Sequence, residues 1–72
     1  MNDTYEKLAN AIVLQAVKDY RHALKRLNKH PNNESALSTK REVERFFRSG
    51  WYTSLTTVDP EMLISKLNEE VI

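Results

Sequence analysis

Few side chains in this chain of 72 residues have the type and spacing for chemistry. Asp19 and His22 stand one helical turn apart, where a carboxylate can orient an imidazole. No serine, cysteine or further ligand follows at a spacing that would complete a triad or a metal site, so the pair reads as solvated. Glu42 and Glu44 are two positions apart, which on a helix sends them to different faces and leaves no paired-carboxylate site. His30 precedes Pro31 in a loop, and the only glycine, Gly50, stands alone, so no phosphate-cradling turn is present. Cysteine is absent, which excludes disulfides and thiolate metal ligands. These residues predict a protein that is not an enzyme and takes no cofactor. What remains is recognition: Trp, Tyr and Arg are the residue types that concentrate binding energy at interfaces. The candidate partner-binding residues are Trp51 and Tyr52 with the basic side chains Lys18, Arg21, Lys25, Arg41, Arg45 and Arg48.

The stretch from Glu44 to Leu55 must position the first of these, and it carries four of the six aromatic residues, Phe46, Phe47, Trp51 and Tyr52. Rings of that area belong inside so small a domain, which predicts a core plugged by all four and closed by two amphipathic helices. Trp51 has two readings. It is either part of that core or an anchor for another protein, and exposure on a monomer favours the anchor.

The chain predicts an all-α fold, a small bundle of three main helices at about 4–28, 34–48 and 60–70 with a short extra turn at about 51–55. Asp3 to Glu6 has the form of a capping box. Tyr5, Leu8, Ile12, Val13, Ala16, Val17, Tyr20, Leu24 and Leu27 then recur at three and four, with no Gly or Pro before Pro31. The opposite side of that helix collects Lys7, Lys18, Arg21, His22, Lys25 and Lys29, with Leu14 among them. Pro31 ends it, and Asn32 or Asn33 caps the next.

The second helix places Ala36, Thr39, Val43, Phe46 and Phe47 on one side and Arg41, Arg45 and Arg48 on the other. Lys40 lies at the edge of the apolar arc, its stem along the core and its ammonium in water. So short a connection makes an antiparallel hairpin. At Ser49-Gly50 either a left-handed glycine ends the helix or Ser49 caps a new one. Asp59-Pro60-Glu61 is a strong start signal, with Val58 and Leu63 spaced as a hydrophobic staple. The last helix should bury Leu63, Ile64, Leu67 and Val71.

Net charge is +1, but the middle is basic and the tail acidic. From Lys18 to Arg48, Lys and Arg far outnumber Asp19, Glu34, Glu42 and Glu44; beyond Ser49, Lys66 stands against Asp59, Glu61, Glu69 and Glu70. Such asymmetry marks an anion-binding surface or two ends of a bundle that attract each other. The leading functional reading is a protein-binding module. The alternative is a DNA-binding accessory protein that contacts phosphates through the basic faces of the first two helices, although a near-neutral domain lacks the usual basic footprint. Dimerisation is one way to supplement so small a core. No signal-peptide pattern or membrane-length apolar run occurs, so a cytoplasmic protein without a membrane partner is expected.

Two segments carry a resemblance. Ala11-Ile12-Val13-Leu14-Gln15-Ala16-Val17-Lys18-Asp19-Tyr20-Arg21 and Glu44-Arg45-Phe46-Phe47-Arg48-Ser49-Gly50-Trp51-Tyr52 together resemble small uncharacterised helical proteins encoded by prophages and mobile elements of low-GC Gram-positive bacteria. That resemblance implies a phage or mobile-element origin in a bacterial host and brings no activity with it.

Overall fold

Apolar side chains spaced at three and four residues produce a single 27-residue helix, α1 (Asp3–Lys29). At 1.5 Å per residue it is about 40 Å long, and it sets the long axis of a molecule measuring 45 × 20 × 18 Å. The structure is a computed structural model that describes residues 3–70, residue 3 by its backbone only. The side chain of Asp3 and the whole of Val71 lie outside the described residues, and with them the expected capping box and the burial of Val71. Three further helices follow: α2 (Glu34–Phe47), α3 (Gly50–Leu55) and α4 (Pro60–Glu70), with no strand among the described residues. The fold is a small all-α bundle.

Each boundary has a local cause. The last backbone bond of α1 runs from the His30 N–H to the Arg26 carbonyl at 2.8 Å, and Pro31, which has no N–H, stops the ladder there. Asn33 opens α2, its side-chain oxygen accepting from the Ala36 N–H at 3.0 Å. At the second junction glycine does not turn left-handed; no described residue has positive φ. Ser49 acts instead. Its hydroxyl donates to the Phe46 carbonyl at 2.6 Å and accepts from the Tyr52 N–H at 3.3 Å, closing α2 and opening α3 with one side chain. Ser49→Ala should therefore cost about 1 kcal/mol in urea unfolding. An unchanged midpoint would show that the cap is dispensable. Asp59 starts α4, accepting from the Glu61 N–H at 3.2 Å ahead of Pro60. Val58 is 44% exposed rather than stapled inward; its role passes to its carbonyl, which accepts from the Tyr52 hydroxyl at 2.9 Å and anchors the link between α3 and α4.

α2 runs antiparallel to α1: Ala36 lies beside Ala23 and Arg26, and Phe46 beside Ile12 and Ala16. Ala23 and Ala36 are fully buried, small enough to let the two helices approach closely near their connection. The core holds Val17, Tyr20, Leu24, Phe47, Tyr52, Ile64 and Leu67, with Val13, Ala16, Val43, Phe46 and Leu63 packed around it.

The aromatic cluster differs from the expectation in one member. Tyr20, Phe47 and Tyr52 are completely buried, and Phe46 packs against the last two with centroids 5.9 Å away. Phe47 meets Tyr20 and Tyr52 edge-on at 5.7 and 5.6 Å, the arrangement the ring quadrupole favours. Trp51 is 63% exposed. Neighbouring residues on a helix diverge by about 100°, so in a single short helix Tyr52 turns inward and Trp51 outward. The fourth ring of the core is Tyr20, from α1.

One polar network crosses this core. The Tyr20 hydroxyl donates to Glu44 Oε2 at 2.6 Å and accepts from Asn68 Nδ2 at 3.0 Å. Lys40 Nζ reaches the same Glu44 oxygen at 2.8 Å, so its ammonium meets a carboxylate where water was expected. Burial raises the Glu44 carboxyl, but Lys40 and Tyr20 outweigh it and hold the group below its ordinary range. The network ties α1, α2 and α4 together, and no buried side-chain polar atom among the described residues lacks a partner.

Candidate functional site

An antiparallel pair of helices has two open faces, and α4 covers one of them. On that face Arg21 Nε and Nη2 grip Glu70 at 2.8 and 3.0 Å, and Asn68 meets Tyr20. At the other end of α4, Arg48 Nε and Nη2 hold Glu61 at 2.7 and 3.1 Å. The basic middle and acidic tail are thus joined by two forked ion pairs, the bundle-closing reading of the charge asymmetry. Hydrogen bonds and charge from Arg48 and Arg21 hold Glu61 and Glu70 below the ordinary carboxylate range. The stability these pairs and Glu44 supply is present above that range and lost as pH falls through the lowered values. Thermal melts taken downward from neutral pH should show the midpoint falling in that acid window. A midpoint flat through it would deny the pairs any role.

Among the described residues, no helix covers the opposite face. A groove of about 570 Å³ runs between α1 and α2 there, floored by Ile12, Ala16, Val43 and Phe46, none of them fully buried. Its lips carry Asp19 and Glu42. Asp19 accepts from Gln15 Nε2 at 3.0 Å, and neither carboxylate has a cation within ion-pair distance among the described residues. α1 is nearly twice the length of α2, so its N-terminal third runs past that helix and alongside α3. A second, apolar hollow of about 220 Å³ lies there, lined by Tyr5, Leu8, Ile12, Trp51 and Leu55. Tyr5 and Leu8 are 51% and 59% exposed. The two hollows share Ile12 and form one uncovered side of the molecule.

The structure does not gather the eight expected contact residues onto one surface. Tyr52 is removed from the set: it is fully buried, its ring against Phe46 and Phe47 and its hydroxyl on the Val58 carbonyl. Burial and the nearby Asp59 charge both raise that hydroxyl's pKa, as expected of a core group. Arg21 and Arg48 are committed to Glu70 and Glu61. Lys18 and Lys25 lie on the outer side of α1 and Arg41 and Arg45 on the outer side of α2, all exposed. The two outer sides point away from each other because the buried stripes face inward, so these four cations do not build one basic surface.

Trp51 remains, with neighbours the side-chain types alone did not single out. Tyr5, Leu8 and Ile12 read as core positions because they keep the helical period. The signal that separates them is length, since a helix this long outruns the 14 residues of α2. Trp51→Ala should leave stability within about 0.5 kcal/mol of the parent in urea unfolding. A loss of several times that would place the indole in the core.

No group of three or more His, Cys, Asp or Glu able to hold a metal ion occurs among the described residues. Asp19 and His22 border a further shallow hollow without bonding each other. No family model, curated protein or solved structure matches the chain.

Proposed function

We propose that this chain is a small non-enzymatic protein-binding module of regulatory kind and of phage or mobile-element origin, acting in the cytoplasm. It engages another protein through the uncovered side that ends at Trp51. The observation that carries the reading is the placement of the one tryptophan, 63% exposed beside an apolar hollow in a domain that needs its large rings inside. A tryptophan left in water forgoes its burial energy on folding and recovers it only when something covers it. No helix among the described residues is long and apolar enough to cross a membrane.

The DNA-binding alternative rests on Lys18, Lys25, Arg41 and Arg45, which face in two directions, while Arg21 and Arg48 are already paired. Few phosphates can then be met at once. A photo-crosslinking side chain at position 51, compared with one at Glu69 on α4, tests the proposal in the host cell. A discrete protein adduct from position 51 alone supports it. Equal labelling from both positions, or retardation of duplex DNA by the purified protein at low salt with no adduct at 51, would overturn it.

A further inference from the structure

The geometry points to the occupant of the uncovered side: an amphipathic helix of another protein, with an apolar stripe flanked by Lys or Arg. The inference rests on the protein-binding reading and adds the partner's shape and charge. Shape comes from the bundle. α4 fills one groove of the α1–α2 hairpin and makes a three-helix unit, and a helix in the opposite groove would complete a four-helix arrangement of the commonest kind. The groove and the apolar hollow follow α1 from Tyr5 to Asp19, about 20 Å along the axis, enough for three to four turns of a docked helix. The floor of Ile12, Ala16, Val43 and Phe46 offers room for apolar side chains at helical spacing, and Trp51 with Leu8 receives the end of the stripe.

Charge comes from the lips. Glu44, Glu61 and Glu70 each have a cation bound, whereas Asp19 and Glu42, which flank the groove from its two walls, have none within ion-pair distance among the described residues. An apolar floor between two uncompensated carboxylates favours a helix with basic flanks and opposes one with acidic flanks. A second copy of this chain is the poorer occupant. Its own uncovered side is lined by no Lys or Arg to meet Asp19 and Glu42, and its basic outer stripe, Lys7, Ala11, Leu14 and Lys18, offers one large apolar residue, too little to fill the floor.

The test uses a display library of helix-forming peptides of random composition, selected on the immobilised full chain and on Asp19→Lys/Glu42→Lys. Both positions are exposed, and matching thermal melts would confirm that the double variant folds. Selected peptides should carry an apolar stripe with Lys or Arg beside it and shift the emission of Trp51, the only tryptophan. The double variant should weaken them at least about tenfold, because two exposed attractions become repulsions, and should select acidic flanks instead. Binders at Trp51 with no charge preference would overturn the partner assignment while leaving the protein-binding reading in place. Absence of any binder that moves the Trp51 signal would overturn both. A concentration-dependent Trp51 shift in the chain alone, with dimers in sedimentation, would assign the side to a second copy and overturn the inference.

Discussion

Phe47→Ala should leave the domain unfolded or only marginally stable at ordinary temperature. The ring is fully buried and touches Tyr20, Phe46 and Tyr52, so it links α1, α2 and α3 at one point. Truncating a buried phenylalanine costs about 3 to 5 kcal/mol, the lost transfer energy together with the cavity left behind. At about 0.05 to 0.15 kcal/mol per residue, a chain of 72 residues has about 4 to 11 kcal/mol in total. No disulfide holds the chain while the core relaxes. Far-ultraviolet circular dichroism of the variant should show most of the helical signal gone, or a melt displaced far downward. A variant melting like the parent would mean that α2 presents a different face to the core.

Tyr20→Ala should be comparably severe, and Tyr20→Phe should separate the two things that residue does. Alanine removes the ring together with the hydroxyl's bonds to Glu44 and Asn68, for about 3 to 5 kcal/mol. Phenylalanine keeps the ring and deletes only the hydroxyl, for about 1 to 2 kcal/mol, since Lys40 still holds Glu44. The hydroxyl also has a pH signature. Burial, then the bond to Glu44, push its pKa up to about 12.

Because the folded value lies above the unfolded one of 10.0, the folded state keeps a proton that the unfolded state has released. That contribution is complete below the unfolded value and is lost as pH rises toward the folded one, by about 2 to 3 kcal/mol across the window. Urea unfolding from pH 10 to 12 should therefore show stability falling with pH in the parent and falling less steeply in Tyr20→Phe. Part of the slope remains in the variant because burial raises Tyr52 as well. Identical slopes would mean that the Tyr20 hydroxyl is not held in the bundle as described.

Much of the architecture was legible in the residues. Pro31, Asn33, Ser49 and the Asp59-Pro60 pair mark helix ends by backbone chemistry that acts locally, and the helical period of α1 is long enough to be unambiguous. The rest depends on how helices rotate against one another. Trp51 and Tyr52 are adjacent and equally suited to a core, and only the phase of α3 decides which turns inward. The bond from Tyr20 to Glu44 spans 24 positions, and nothing at either end announces the other.

The candidate site was the least legible part. It arises from an absence of cover: α4 takes one face of the hairpin and leaves Ile12, Asp19, Glu42 and Phe46 on the other. The local pattern of those residues differs little from that of residues α4 does cover. The charge asymmetry was visible, but its meaning waited on Arg21 finding Glu70 and Arg48 finding Glu61.

The core closes without Trp51 and leaves it on an uncovered apolar side. Fluorescence of the isolated chain at low concentration, with acrylamide as quencher, tests this most directly because the chain has one tryptophan. The expected result is the long-wavelength emission of a hydrated indole, quenched readily and independent of protein concentration. Short-wavelength emission that resists the quencher at every concentration would place the indole inside the fold and contradict it.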